Sequence, residues 1–299
     1  MMTDDKYSNI LREYFFSNQA QTSDNPLAIQ ITHGKGDILY DINGKEYIDC
    51  ISGIAVSSFG HNNKEILKSV TQQINKHLHV MVYGDFILSP QVELTKALCS
   101  LLPNELSNIY YTNSGAEAVE GALKLAKKYT GRPKIISCYN AYHGSTHGAL
   151  SIMGSEHYKR NFRPLLPDIH HIKFNNFDDI NKIDNNTACV IVEVIQAEAG
   201  IRLPQNNYLQ ALRKKCNEIG ALLIFDEVQT GMGRTGSMFA FEQYELMPDI
   251  LILAKAFGGG FPLGAFISSK EIMKTLSFNP VLGHITTFGG HAVSCAASL

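Results

Sequence analysis

The sequence carries almost no net charge: 26 lysines and arginines stand against 28 aspartates and glutamates, for a formal −2 at neutral pH and a pI near 6.6. A chain so balanced has no electrostatic hold on a polyanion or an anionic bilayer, so nucleic acid and membrane surfaces are not expected partners. Long hydrophobic runs are also missing. The longest, such as ALLIF at 221–225 and ILILA at 250–254, are far too short to span a bilayer. The opening MMTDDKYSNILREYFF is acidic early and holds no apolar stretch of leader length. The six cysteines (50, 99, 138, 189, 216 and 295) form no CxxC pair. Scattered among apolar neighbours, they read as reduced thiols of a cytoplasmic protein, not as a disulfide framework or zinc site. No internal repeat, low-complexity segment or GxxxxGK[ST] phosphate loop occurs.

The composition, 44% hydrophobic and 18% charged over 299 residues, is that of a globular chain. Residues 1–60 read as a peripheral segment with a hairpin at 36–51 that turns at Asn43-Gly44. Helical faces follow at 64–78 and 91–102. Short apolar strands are then expected at 108–112, 134–138, 188–195, 221–228, 249–254 and 264–268, with helices at 116–129 and 208–219 among the connections. Apolar strands alternating with helices imply an α/β fold whose mostly parallel sheet is covered on both faces. Ligands of such sheets gather at the carboxyl ends of the strands. The closing AVSCAASL (292–299) looks like the start of a helix with no stop signal, and this end reads as a truncation.

The chemistry-bearing residues stand at those strand ends. ALLIF leads into Asp226-Glu227. As a strand-tip acid pair this also suits a Walker B strand, but that reading needs the phosphate loop the chain lacks. DILILA leads into Lys255 and three glycines, and an ammonium leaving an apolar strand is costly unless paired or neutralised. A neutral amine there suits Schiff-base chemistry; the plain alternative is a lysine with its head in water. NIYYT leads into Asn113-Ser114-Gly115-Ala116-Glu117, a capping-box spacing whose helix N-terminus would favour a phosphate. Tyr142 follows a strand exit, where an aromatic ring could stack on a planar ligand. His143 and His147 are spaced i, i+4, but HGSTH has no HExxH glutamate, so hydrogen-bonded histidines are expected and no metal.

Taken together, the chain resembles the class III (ω-type) aminotransferases of pyridoxal-phosphate (PLP) fold type I. The resemblance rests on YIDCISGIAVSSFGH (47–61), NSGAEAVEGALKLAKKYTGR (113–132), AYHGST (141–146), IVEVIQAEAG (191–200), LLIFDEVQTGMGRTG (222–236), LAKAFGGGFPLGA (253–265) and HITTFGGHAVSCAA (284–297). It implies a PLP-binding large domain over 61–299 and an N-terminal small-domain segment over 1–60. It also implies transfer of an amino group from an amine or ω-amino acid to a 2-oxo acid in ping-pong order. An aminomutase or decarboxylase of the same fold and a catalytically incomplete PLP-binding fragment are the alternatives.

By the same resemblance, Lys255 is the internal-aldimine lysine and proton-shift base, and Asp226 pairs with the pyridinium nitrogen. Gln229 would bond the ring 3′-oxygen, with Val228 and Tyr142 on the two ring faces. Ser114, Gly115 and Ala116 would hold the phosphate, and His143 and Glu193 would belong to the cofactor site. Thr287 would reach the phosphate of a partner subunit, which implies a homodimer with shared active sites. On the substrate side stand Ile54, Ser145 and Glu198. Glu198 matches a glutamate that pairs with a gating arginine in many members. Ser145 stands where many users of ornithine, acetylornithine or 4-aminobutyrate carry a carboxylate-binding arginine. Family chains continue past position 299 into a small-domain portion that supplies the gating arginine.

Overall fold

A computed structural model describes residues 4–299; residues 1–3, the start of the acidic opening stretch, lie outside the described residues. The chain divides into two compact units, one ending at Cys50 and one running from Ile51 to Leu299. The division falls earlier than the boundary at 60 expected from sequence.

The first unit holds helix α1 (Asp4–Asn18) and the antiparallel sheet β1 (Ile31–Lys35), β2 (Ile38–Asp41) and β3 (Glu46–Ile48). The expected hairpin is β2–β3, and β1 adds a strand that the sequence reading did not assign. Asp41 builds the turn. Its Oδ1 accepts the amides of Asn43 and Lys45 at 2.8 and 3.0 Å, and the Gly44 N–H donates to the Asp41 carbonyl. Gly44 alone of the Asn-Gly pair takes the left-handed region, at φ 75°. The turn is therefore closed by an αL glycine and does not use two positive-φ residues.

The second unit opens with the turn α2 (Ser52–Ala55) and helices α3 (Lys64–Ile74) and α4 (Ser89–Leu101). There follow β4 (Asn108–Thr112), α5 (Gly115–Thr130), β5 (Lys134–Cys138), α6 (His147–Ile152), α7 (Glu156–Lys159), β6 (Ile169–Ile172) and β7 (Thr187–Glu193). The chain continues through α8 (Tyr208–Ile219), β8 (Leu222–Asp226), β9 (Ile250–Leu253), β10 (Gly264–Ser268), α9 (Lys270–Lys274) and α10 (Ala292–Ser298). The seven strands lie in the order β4-β10-β9-β8-β7-β5-β6. All ladders are parallel except those of β10, which runs against both β4 and β9.

The sheet explains its own composition. Ile136, Val190, Val192, Leu223, Phe225, Leu251 and Leu253 pack into one core with α4 and α8. Their neighbours Ile135, Cys189, Ile191, Ile224, Ile250 and Ile252 pack into a second core with α5. Side chains alternate between faces with period two, and both faces are buried, so the strands read as unbroken apolar runs. The carboxyl ends of β4, β5, β7, β8 and β9 meet along one edge, joined there by the start of the antiparallel β10.

Candidate active site

The end of β4 runs straight into the first turn of α5. Ser114 is the N-cap, its Oγ accepting the Glu117 N–H at 3.2 Å. Glu117 reaches back to the Asn113 backbone and side-chain amides at 2.8 and 2.9 Å. Asn113 Nδ2 also donates to Thr286 Oγ1 at 2.9 Å. With the cap closed this way, the N–H groups of Gly115 and Ala116 have no acceptor within the helix. They would face an anion with the positive end of a helix dipole behind them. Gly115 is needed for closeness: a Cβ there would sit 3.0 Å from both methyls of Val228.

At the end of β8 the two neighbouring acids part company. Glu227 is buried and bonds the backbone amides of Ala240 and Phe241, each at 2.7 Å. Burial pushes its carboxyl up to about 7 against the pull of those amides. Asp226, also buried, accepts the Val228 N–H on Oδ1 at 3.0 Å and His143 Nδ1 on Oδ2 at 2.7 Å. Burial alone would lower the His143 pKa. The hydrogen bond to Asp226 and the charges of Asp226 and Glu193 outweigh it and hold the pKa above the usual value. His143 Nε2 is buried without a partner. Glu193, at the end of β7, accepts the amides of Tyr142 and Ala197 at 2.9 and 3.0 Å, and burial raises its pKa.

Lys255 leaves β9 in the left-handed region, at φ 53°, and its Nζ donates to Gln229 Oε1 at 2.7 Å. Burial lowers its pKa, while the charges of Asp226, Glu198 and Glu193 pull the other way. An amine that gives up its proton more readily than a solvated lysine is the form able to act as nucleophile and base. The Tyr142 hydroxyl lies 3.2 Å from Ser145 Oγ, a contact within the loop after β5.

These groups share one cavity of about 500 Å³. Every residue assigned to the cofactor or substrate site from the sequence lines it except Ile54 and Thr287. Ile54 is 62% exposed and belongs to a left-handed turn in which Ser52, Gly53, Ile54 and Ala55 all have φ between 53° and 61°. A β-branched residue there is strained, and Val56 lines the cavity in its place. Thr287 is exposed, and its neighbour Thr286 is the one that bonds Asn113. Asn113, Val56, Ala254 and the Phe261-Pro262-Leu263 stretch before β10 also line the cavity, although the sequence reading assigns them no site role. Phe261 to Leu263 lay inside a quoted motif, but nothing in their residue types marked them. No group of side chains among the described residues could hold a metal ion, and His147 Nε2 donates to the Pro164 carbonyl at 3.0 Å.

The cavity suits PLP on its own evidence. It offers open helix amides for a phosphate, a glycine where a side chain would crowd the wall, a charged acid pinned from two sides and an amine of lowered pKa. Comparison with known proteins agrees. The family described as aminotransferase class-III matches residues 19–299. The acetylornithine aminotransferase of Clostridium acetobutylicum is 45% identical over 273 residues, covering 89% of this chain and 69% of that protein. The acetylornithine aminotransferase of Methanopyrus kandleri is 42% identical over 272 residues, covering 90% of this chain and 68% of that protein. Among solved structures, the adenosylmethionine-8-amino-7-oxononanoate aminotransferase of Methanocaldococcus jannaschii aligns with a TM-score of 0.91 at 33% identity, over 97% of this chain and 73% of that one. The ornithine aminotransferase of Toxoplasma gondii aligns with a TM-score of 0.88 at 29% identity, over 100% and 73%. The chain belongs to the class-III aminotransferases, PLP-dependent enzymes of fold type I that transfer amino groups to 2-oxo acids.

Proposed function

We propose that Lys255 and Asp226 are the residues through which this enzyme works on its cofactor. The observation that carries the reading is the placement of Lys255 Nζ, held by Gln229, in the same cavity as an Asp226 carboxylate pinned by His143 and the Val228 amide. Ser114, Gly115 and Ala116 would hold the phosphate of PLP, with Val228 and Tyr142 against its ring and Gln229 at its ring oxygen. When bound, PLP supplies an electron-withdrawing ring that draws the electron pair of the substrate's amine-bearing carbon. Asp226 keeps a proton on the ring nitrogen by charge, and His143 keeps Asp226 in place. Lys255 holds the cofactor through Nζ and, as a free amine, moves the proton at the substrate carbon. Tyr142 and the loop after β5 limit access of water.

The relatives named for acetylornithine and ornithine suggest a donor whose reacting amine is on a terminal carbon. Ser145 stands where users of ornithine are expected to carry an arginine, so the donor would be recognised by other means. We further infer a homodimer in which the exposed Thr287 completes the partner's phosphate site, and a cytoplasmic location, supported by six free cysteines. No helix among the described residues is long and apolar enough to cross a membrane. The unit from Ile51 onward would be the PLP-binding large domain, and the unit ending at Cys50 part of the small domain.

The test supplies PLP, a terminal-amine donor and pyruvate to the wild type and to Lys255→Ala, and follows alanine by mass spectrometry. Alanine formation that depends on all three components and on Lys255 supports the reading. Equal formation by the variant would overturn it.

A further inference from the structure

The charges lining the candidate active-site cavity are unbalanced. Glu193, Glu198 and Asp226 face it, against Lys255 and a His143 that is tied to Asp226. No arginine lines it among the described residues, and at position 145 stands a neutral serine bonded to Tyr142. A donor that enters amine first and carries a carboxylate at its other end would find only acids beside its tail.

Tyr142 and Glu198 also line a second cavity, of about 380 Å³, whose wall includes Met153, Tyr158 and Arg202. We propose that Arg202 is the anchor for a carboxylate on the far end of the amino donor. The substrate class is then the unbranched ω-amino acids with a methylene chain long enough to run between the two cavities. The proposal takes from the reading above only that the donor's amine would react at the cofactor beside Lys255.

Three observations carry it. The Arg202 guanidinium has no hydrogen bond or ion pair among the described residues, although Glu198 lines the same cavity. Its five donors are therefore available to a carboxylate in a planar fork. Its position is set by a short hairpin: the Gln196 N–H donates to the Arg202 carbonyl at 3.0 Å and the Arg202 N–H to the Gln196 carbonyl at 2.9 Å. Gln196 is buried, and its Nε2 donates to the Tyr139 carbonyl at 3.1 Å, so the hairpin is tied to the loop that presents Tyr142. Glu193 strengthens the tie by accepting the Ala197 amide. Finally, Tyr142, Tyr158 and Met153 offer carbon surface to a methylene chain between the two ends.

The test compares 6-aminohexanoate with hexylamine as donors for the PLP-loaded wild type, Arg202→Gln and Arg202→Lys. Arg202 is exposed, so neither substitution threatens the fold. The wild type is expected to prefer 6-aminohexanoate. Arg202→Gln should raise its KM roughly tenfold or more, with kcat little changed and hexylamine unaffected; Arg202→Lys should recover part of the loss. A second readout needs no turnover: hexanoate binding by calorimetry is expected for the wild type and lost in Arg202→Gln. Parallel loss of both donors, an unchanged KM, or unchanged hexanoate binding would overturn the proposal. If the wild type transaminates neither donor, the terminal-amine reading falls, and the hexanoate titration still decides the role of Arg202.

Discussion

His143 Nδ1 lies 2.7 Å from Asp226 Oδ2, and both side chains are closed off from solvent. The pair joins the end of β8 to the loop after β5, so the acid at the centre of the cavity is held by a residue 83 positions away. Removing one member leaves a buried group without its partner, at a cost of roughly 3–5 kcal/mol. His143→Asn is therefore expected to be clearly less stable than the wild type. Because the His143 pKa is raised above the ordinary 6.5, its contribution is complete below that value and is lost as pH rises through the folded-state pKa. Thermal melts of both proteins from pH 5 to 9 should show the widest gap at the acid end. A gap that grows with pH would contradict the charged pair.

Asp226→Asn keeps the size of the side chain and removes the charge. PLP is expected to stay bound while turnover falls roughly 100-fold or more. Cofactor content by absorbance, measured beside kcat, separates the two effects. Near-normal turnover would remove Asp226 from the chemistry.

Gly115→Ala places a methyl 3.0 Å from both Val228 methyls, at the cavity wall proposed to meet the cofactor. Gly131→Ala adds a methyl in open space at the C-cap of α5, at φ 69°. The first is expected to weaken PLP binding about tenfold through displacement of Val228. The second should cost about 1 kcal/mol of stability and leave PLP affinity alone. Fluorescence titration of PLP against each variant checks the contrast. Equal affinities would argue against a phosphate site at the turn before α5.

Much of this arrangement is legible in the sequence. NIYYT, KIISC and GAFIS have the bounds expected of them, as does the helix over 208–219, because their apolar periods and flanking turn residues agree. The strand β6 was not legible. Its sequence, IHHI, carries two histidines in the middle and sits at the sheet edge. His171 is tolerated there because Ser137 Oγ and Lys159 Nζ meet its two nitrogens, each at 2.8 Å. The reversal of β10 was equally hidden, since an apolar strand of five residues looks alike in both directions. In the site, Lys255 and Asp226 announced themselves as charges ending apolar strands. Ile54 lies in a left-handed turn and does not line the cavity, whereas Val56, two positions on, does. Arg202 gave no signal, because a lone arginine beside a turn is ordinary and its meaning comes only from the cavity it lines.

The central claim is that Lys255 is the residue that bonds the cofactor. The direct measurement loads the protein with PLP, reduces it with borohydride, digests it and locates the pyridoxyl group by mass spectrometry. The expected result is a single labelled peptide carrying Lys255, absent from Lys255→Ala. A label on another lysine, or a wild type that binds PLP yet yields no labelled peptide, would contradict the claim.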